Sequence, residues 1–242
     1  MTEENELNSS KLGTFEYWES TYDAELQQFE DITDPGTEWF GPTATKRMVK
    51  WITKRNGISK EAKIVDVGCG NGLLLLSLAE MGYVNLVGVD YCANALKLAQ
   101  EVFKNEGLQS NAATWLALDI TQQTVVADTI NKSDGPYRVV SKDVTTSEQS
   151  NGIFKVCLDK GTYDAISLCP DDSKGKRDIY KQQIAALLEK DGIFLITSCN
   201  WTASELRSHF TNLSFVEELP APTFVFGGKQ GKTVSACVFK KS

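Results

Sequence analysis

The chain has 242 residues, with 25 Lys and Arg against 32 Asp and Glu, a formal charge of −7 and a pI of about 4.9. With 41% hydrophobic and 24% charged residues its composition is that of an ordinary globular protein, which excludes collagen-like and wholly disordered chains. The excess of acid argues against a general nucleic-acid binder and leaves room for a basic protein partner.

The first ten residues, MTEENELNSS, are acidic and polar. A secretory signal needs a basic start and an apolar run, and a mitochondrial leader avoids acids. No apolar run reaches the roughly 20 residues of a membrane span. The expected compartment is therefore cytoplasmic, with no membrane partner. Cysteines stand at 69, 92, 157, 169, 199 and 237 without CxxC spacing, and His209 is the single histidine. That pattern predicts mostly buried, reduced thiols and no metal site. Residues 1–11 read as a disordered tail. Residues 12–242 read as a single domain, with an N-terminal helical cover at 12–57 and a polar insertion at 121–151.

Within 14–30 aromatic residues alternate with acids, and Tyr22, Leu26 and Phe29 fall at helical spacing. Residues 31–42, DITDPGTEWFGP, read as a loop with an aromatic pair, Trp39-Phe40, in its middle. A helix is predicted at 43–55, with Ala44, Met48, Trp51 and Ile52 on one face and Asn56-Gly57 as its stop. KIVDVGCGNG then reads as a strand running into a glycine turn, and LLLLSLAEM as a buried helix. A strand at 85–90, a helix at 93–106 and a strand at 114–119 follow. The insertion lacks any sustained period, and a weak hairpin around Asp134-Gly135 is the most it predicts.

Order returns with the strand FKVCLD. DAISLC, another apolar run, follows too closely to be a second central strand, and reads as an edge hairpin or an extended loop. A helix at 174–190 ends at Asp191-Gly192, and IFLITS is the next strand. Residues 202–210 form a helix with Thr202 as N-cap and Glu205 at capping-box spacing. LSFVEEL and TVSACVFKK close the chain, separated by a loop with Pro220, Pro222 and Gly227-Gly228. The alternation predicts an α/β fold: a mostly parallel, Rossmann-like sheet with helices on both faces and an antiparallel edge hairpin.

Doubly wound sheets bind ligands at the carboxyl ends of their strands, and three acids are predicted there. Asp66 precedes the turn Gly68-Cys69-Gly70-Asn71-Gly72, Asp90 ends the second strand, and Asp119 ends the third. The G-x-G-x-G spacing departs from the G-x-G-x-x-G of a dinucleotide site, and an acid two residues before the first glycine would repel a pyrophosphate. It suits an ammonium or sulfonium. Asp90 is placed for ribose hydroxyls and Asp119 for an adenine amino group. A cationic, phosphate-free adenosine of this kind is S-adenosylmethionine. The bland readings are that Asp66 caps the following turn and Asp119 caps a helix.

The pattern D-x-G-x-G-x-G with two further strand-end acids resembles the seven-stranded class of S-adenosylmethionine-dependent methyltransferases. That resemblance implies a cofactor set of Trp39, Asp66, Gly68, Gly70, Asp90, Tyr91, Asp119 and Ile120. The fourth strand carries Asp159-Lys160-Gly161-Thr162 in place of [DN]-P-P-[FYW], and this form resembles protein-lysine methyltransferases of the class. LGTFEYWESTYDAEL, Glu38-Trp39-Phe40-Gly41, Ser198-Cys199-Asn200-Trp201-Thr202 and the stretch from Pro220 to Gly228 resemble the family that methylates a lysine of eukaryotic translation elongation factor 1A.

The implied chemistry is attack of a neutral lysine amine on the activated methyl group. Asp159 is expected to orient the amine, Tyr163 and Trp201 to line its channel, Trp39 and Phe40 to cover the methionine end, and Lys160 to support the loop. Asp171-Asp172 and Glu217-Glu218 are candidate acidic rims for a basic protein substrate. A monomer that binds no nucleic acid directly is expected. The rival readings are a methyltransferase for a small molecule and a non-catalytic adaptor.

Overall fold

The computed structural model describes residues 6–127, 137–141, 152–221, 223–226, 229–232 and 234–242. Its centre is a seven-stranded sheet built from β1 (Lys63–Val67), β2 (Asn85–Asp90), β3 (Ala113–Ala117), β6 (Phe154–Lys160), β7 (Leu188–Ser198), β8 (Ser214–Glu218) and β11 (Ser235–Lys240). The spatial order is β3-β2-β1-β6-β7-β11-β8. The pairs from β3 through β7 are parallel, and β11 runs antiparallel to both β7 and β8. The chain starts at β1, winds outward to β3, and returns to β6 on the other side of β1. The switch point where a doubly wound sheet opens a crevice therefore lies between β1 and β6.

Strict side-chain alternation divides the core. Ile64, Leu86, Val156, Leu158 and Leu195 face one layer with Leu74, Leu75, Leu98 and Val102. Val65, Val87, Cys157, Phe194 and Ile196 face the other with Tyr180, Ile184, Leu206 and Phe210. The first layer holds α1 (Phe15–Ile32), α2 (Gly41–Thr53), α3 (Leu73–Glu80) and α4 (Ala93–Asn105). The second holds α5 (Thr162–Ser167), α6 (Ser173–Leu187) and α7 (Ala203–His209). A strand with apolar residues on both sides must be covered on both faces, and these helices do so.

Many expected elements are present, among them Tyr22 and Phe29 buried on α1 and the Thr202–Glu205 capping box of α7. Others differ. The tail expected over 1–11 is built from residue 6 onward: Glu6 pairs with Arg177 at 2.7 Å, Leu7 packs on the core, and Ser10 N–H donates to Leu168 O at 3.0 Å. DAISLC is neither hairpin nor loop but mostly α5, because Gly161 turns the chain at φ +100° and Asp159 accepts from the first helical N–H groups. A short apolar run reads alike as a strand or a buried helix. Asp191-Gly192 does not end a helix. It forms a register shift within β7, which begins at Leu188, and Asp191 takes φ +61°. The loop expected between the closing strands contains the hairpin β9 (Thr223–Phe226) and β10 (Lys229–Lys232). In the insertion, β4 (Gln123–Ala127) pairs antiparallel with β5 (Tyr137–Ser141), while Asp134-Gly135 lies outside the described residues.

Candidate active site

A cavity of about 220 Å³ opens over the carboxyl ends of β1, β2 and β6, at the switch point. The glycine turn after β1 forms its floor. Gly68 N–H and Cys69 N–H both donate to Val89 O, at 2.7 and 3.0 Å, so the turn folds back onto β2. Gly68 and Gly70 have φ of +71° and +53°. A Cβ at Gly68 would overlap Thr162, and one at Gly70 would overlap the Tyr22 hydroxyl, so both positions demand glycine twice over.

Asp90 joins the two loops. Its carboxylate accepts from Gly70 N–H and Cys92 N–H, each at 2.9 Å, while lining the cavity. Each oxygen keeps a lone pair for a ligand hydroxyl. Asp66 is 2% exposed, and its Oδ1 has no hydrogen-bond partner. Tyr91, Asp119 and Ile120 line the far end of the cavity. Both Asp119 oxygens are engaged in the turn that follows, accepting from Thr121 and from Gln122 Nε2, so it caps a turn leading into a strand and not a helix.

The cover comes from the N-terminal residues. Trp18 and Tyr22 of α1, with Leu12 and Gly13 before it, line the cavity together with Trp39 and Phe40. The loop that carries the aromatic pair is tied down at several points. Asn71 Nδ2 donates to Pro35 O and Thr37 O, Glu25 accepts from Thr37 N–H at 2.9 Å, and Lys160 Nζ donates to Trp39 O at 2.9 Å. Trp39 meets Trp18 edge to face at 5.0 Å.

The three residues expected to do chemistry are buried and are not among those that line the cavity, and neither is Asp66. Asp159 is fully buried. It accepts from Thr162 N–H, Tyr163 N–H and the Tyr180 hydroxyl, and so shapes the loop into α5. Tyr163 is 1% exposed with its hydroxyl on His209 Nδ1, and Trp201 donates to Ser167 Oγ. In their place Lys160, Asp164, Cys199 and Asn200 line the cavity next to Phe40. Asp164 is held by the Ser198 hydroxyl and Cys199 N–H, and Ser198 Oγ in turn accepts from Asn200 N–H and Trp201 N–H. Asp164 lies inside the apolar run DAISLC, which hides it from pattern reading, whereas Asn200 stands beside Trp201 in the S-C-N-W segment. Glu217 is not among the cavity-lining residues; it pairs with Arg55 and accepts from Trp51 on the β8 edge. Asp172 caps α6 through Gly175 N–H, and Asp171 is beside the cavity-lining Lys176.

Burial dominates the electrostatics. It lifts Asp66 to about 7, Asp90 to about 6 and Asp159 to about 7, against an ordinary value of 3.8. A raised carboxyl takes up a proton on folding, so its contribution to stability is complete below about pH 4 and is lost as pH rises through 6 to 7. The urea midpoint of the ligand-free protein is therefore expected to fall between about pH 5.5 and pH 8. A midpoint that rises across that window overturns this account of the three carboxyls.

Residues 58–234 match the profile of a family described as "Methyltransferase domain". The chain is 40% identical over 233 residues to EEF1A lysine methyltransferase 2 of Homo sapiens, covering 96% of this chain and 87% of that protein. The chain belongs to this methyltransferase family. Protein-lysine N-methyltransferase efm4 of Schizosaccharomyces pombe is 34% identical over 251 residues, covering 97% of this chain and 95% of its own. Among solved structures, the TehB-like SAM-dependent methyltransferase from Corynebacterium glutamicum superposes with a TM-score of 0.55 at 16% identity, covering 92% of this chain and 99% of that one. The cyclase SpnF does so with 0.60 at 11% identity, covering 97% and 98%. These distant likenesses show the fold alone, and a cyclase among them illustrates that the fold does not fix the reaction.

S-adenosylmethionine is the cofactor of such a methyltransferase, and the residues present fit it. The glycine turn leaves no side chain where a ligand would cross, Asp90 offers acceptors on the cavity wall, and directly behind that turn lies Asp66, buried with an unpaired Oδ1. Among the described residues no His, Cys, Asp or Glu cluster could hold a metal ion, and no helix is long and apolar enough to cross a membrane.

Proposed function

We propose that this methyltransferase transfers a methyl group from S-adenosylmethionine to a lysine side chain of translation elongation factor 1A. The observation that carries the reading is 40% identity, across nearly the whole of both chains, to a protein named for that substrate. We further infer that it acts in the cytoplasm as a monomer without contacting nucleic acid. Its charge of −7 suits a basic protein substrate.

When bound, S-adenosylmethionine supplies a methyl group already activated on a sulfonium. The rest falls to the chain. Asp66, Gly68, Gly70 and Asp90 hold the cofactor, with Trp39, Tyr91, Asp119 and Ile120 around it. The target amine enters between Phe40, Asp164 and Asn200. A free lysine has a pKa of about 10.4, and an aromatic wall that excludes water favours its neutral form. Asp164, fixed from behind by Ser198 and Cys199, and Asn200, fixed by Ser198, orient the amine rather than deprotonate it. Asp159, Tyr163 and Trp201 act indirectly, by holding that wall in place.

The test is intact-mass spectrometry of elongation factor 1A after incubation with the protein and S-adenosylmethionine. One or more added methyl groups are expected. Asn200→Ala is expected to lower turnover about 10- to 100-fold while leaving cofactor affinity within about twofold, the pattern of lost orientation. Label that appears only in small, dialysable products would favour the small-molecule reading, and no binding of S-adenosylmethionine at all would favour an adaptor.

A further inference from the structure

Lys160 is the basic side chain on the cavity floor at the β1–β6 switch point, and the proposed function gives it no part in holding cofactor or substrate. It ends β6, whose neighbour β1 carries Asp66 opposite Leu158. Its ammonium donates to Trp39 O, across 121 positions of sequence, and so ties the aromatic cover to the floor. Around it are carboxyls, those of Asp66 and Asp159 buried and that of Glu38 partly exposed. Burial disfavours the Lys160 ammonium while Asp66, Glu38 and Asp159 favour it, and Lys160, Asp159 and Asp90 are the charges that act on Asp66. Asp66 Oδ1 lacks any hydrogen-bond partner, so no donor stabilises its charge at that oxygen.

Resting on the cofactor reading above, we propose that Lys160 is a positioning residue with two roles: it anchors the Trp39-Phe40 cover, and its charge favours the carboxylate form of Asp66 that a cationic cofactor requires. The physical need is clear from burial. Desolvation favours the neutral acid at Asp66, and Asp90 and Asp159 push the same way, whereas Lys160 opposes all three. A neutral Asp66 would offer the cofactor's cationic end only a dipole. An ammonium fixed nearby, but spent on a carbonyl, supplies the compensating field without occupying Asp66's free oxygen.

The experiment is calorimetric titration of the intact protein with S-adenosylmethionine from about pH 6 to pH 9, comparing wild type with Lys160→Gln, Lys160→Arg and Asp66→Asn. Gln keeps a donor for Trp39 O and removes the charge. The cofactor's own titration is common to all four proteins. In Lys160→Gln the rise of affinity with pH is expected to move upward by about one unit, leaving binding about fivefold weaker near pH 7 and converging with wild type by about pH 9. Lys160→Arg restores the wild-type profile. Asp66→Asn flattens it, and does so even if Lys160→Gln is too unstable to purify. A uniform loss at every pH in Lys160→Gln shows a tether only and overturns the electrostatic role. So does an Asp66→Asn profile with the wild-type slope. Wild-type protein that fails to bind S-adenosylmethionine at any pH instead sinks the cofactor reading itself.

Discussion

Asp159→Ala is expected to lower the stability of the folded chain by about 3–5 kcal/mol, because two buried donors and one part-buried donor lose their acceptor at about 1–3 kcal/mol each. Those donors are Thr162 N–H, Tyr163 N–H and the Tyr180 hydroxyl. Part of the loss is returned, since the substitution also removes a carboxyl that burial already disfavours. The remainder is a large fraction of the roughly 5–15 kcal/mol that holds a typical domain together. Urea unfolding measures it directly. Asp159→Asn, which keeps a carbonyl acceptor and the side-chain shape, is expected to fall between wild type and alanine. An unchanged urea midpoint with turnover abolished would return Asp159 to the reacting centre. The reason for expecting otherwise is its place in the fold: it is fully buried, at the root of α5, and absent from the cavity wall.

Asp90→Ala is expected to weaken S-adenosylmethionine binding by about 2–3 kcal/mol, roughly 30- to 150-fold, the loss of charge-assisted contacts to paired hydroxyls. The same carboxylate holds Gly70 and Cys92 in place, so its removal also loosens the turn on which the cofactor would lie. Asp90→Asn separates the two effects: it leaves one carbonyl acceptor for the turn but no charge for the ligand. Calorimetry of both variants checks this, and wild-type affinity in Asp90→Ala would place the ribose on another part of the rim.

The two aspartates show how far residue type and spacing carry an argument. Asp66, Asp90 and Asp119 stand at or just past strand ends, and the structure brings all three to the same edge of the sheet, Asp90 and Asp119 on the cavity wall and Asp66 buried behind it. Asp159 stands in an equally suggestive motif, yet its side chain turns inward. Asp159 lies inside β6, so alternation itself turns it to the layer of Cys157 and Tyr180, and only past Lys160 does the chain leave that rule. Gly161, at φ +100°, decides that the next segment doubles back as a helix, and that helix then claims Asp159 as its cap. Asp164, five residues on, comes to the cavity instead.

The amino-acid sequence by itself determined the alternation of strands and helices, the glycine turn, the order of the acids along the sheet rim and the likeness to one methyltransferase family. These are local or periodic properties: a two-residue repeat sets a strand face, a glycine sets a turn, a cap sets a helix start. Only the tertiary structure decided which of the neighbouring polar groups meet the cavity and which are consumed in holding its wall. It also showed that residues 6–13, written as a polar tail and a short lead-in, reach Arg177 and Leu168 and help cover the cavity. Such choices depend on distant partners, Trp39 for Lys160 across 121 positions and Glu6 for Arg177 across 171, and no local pattern encodes a hydrogen bond across that distance.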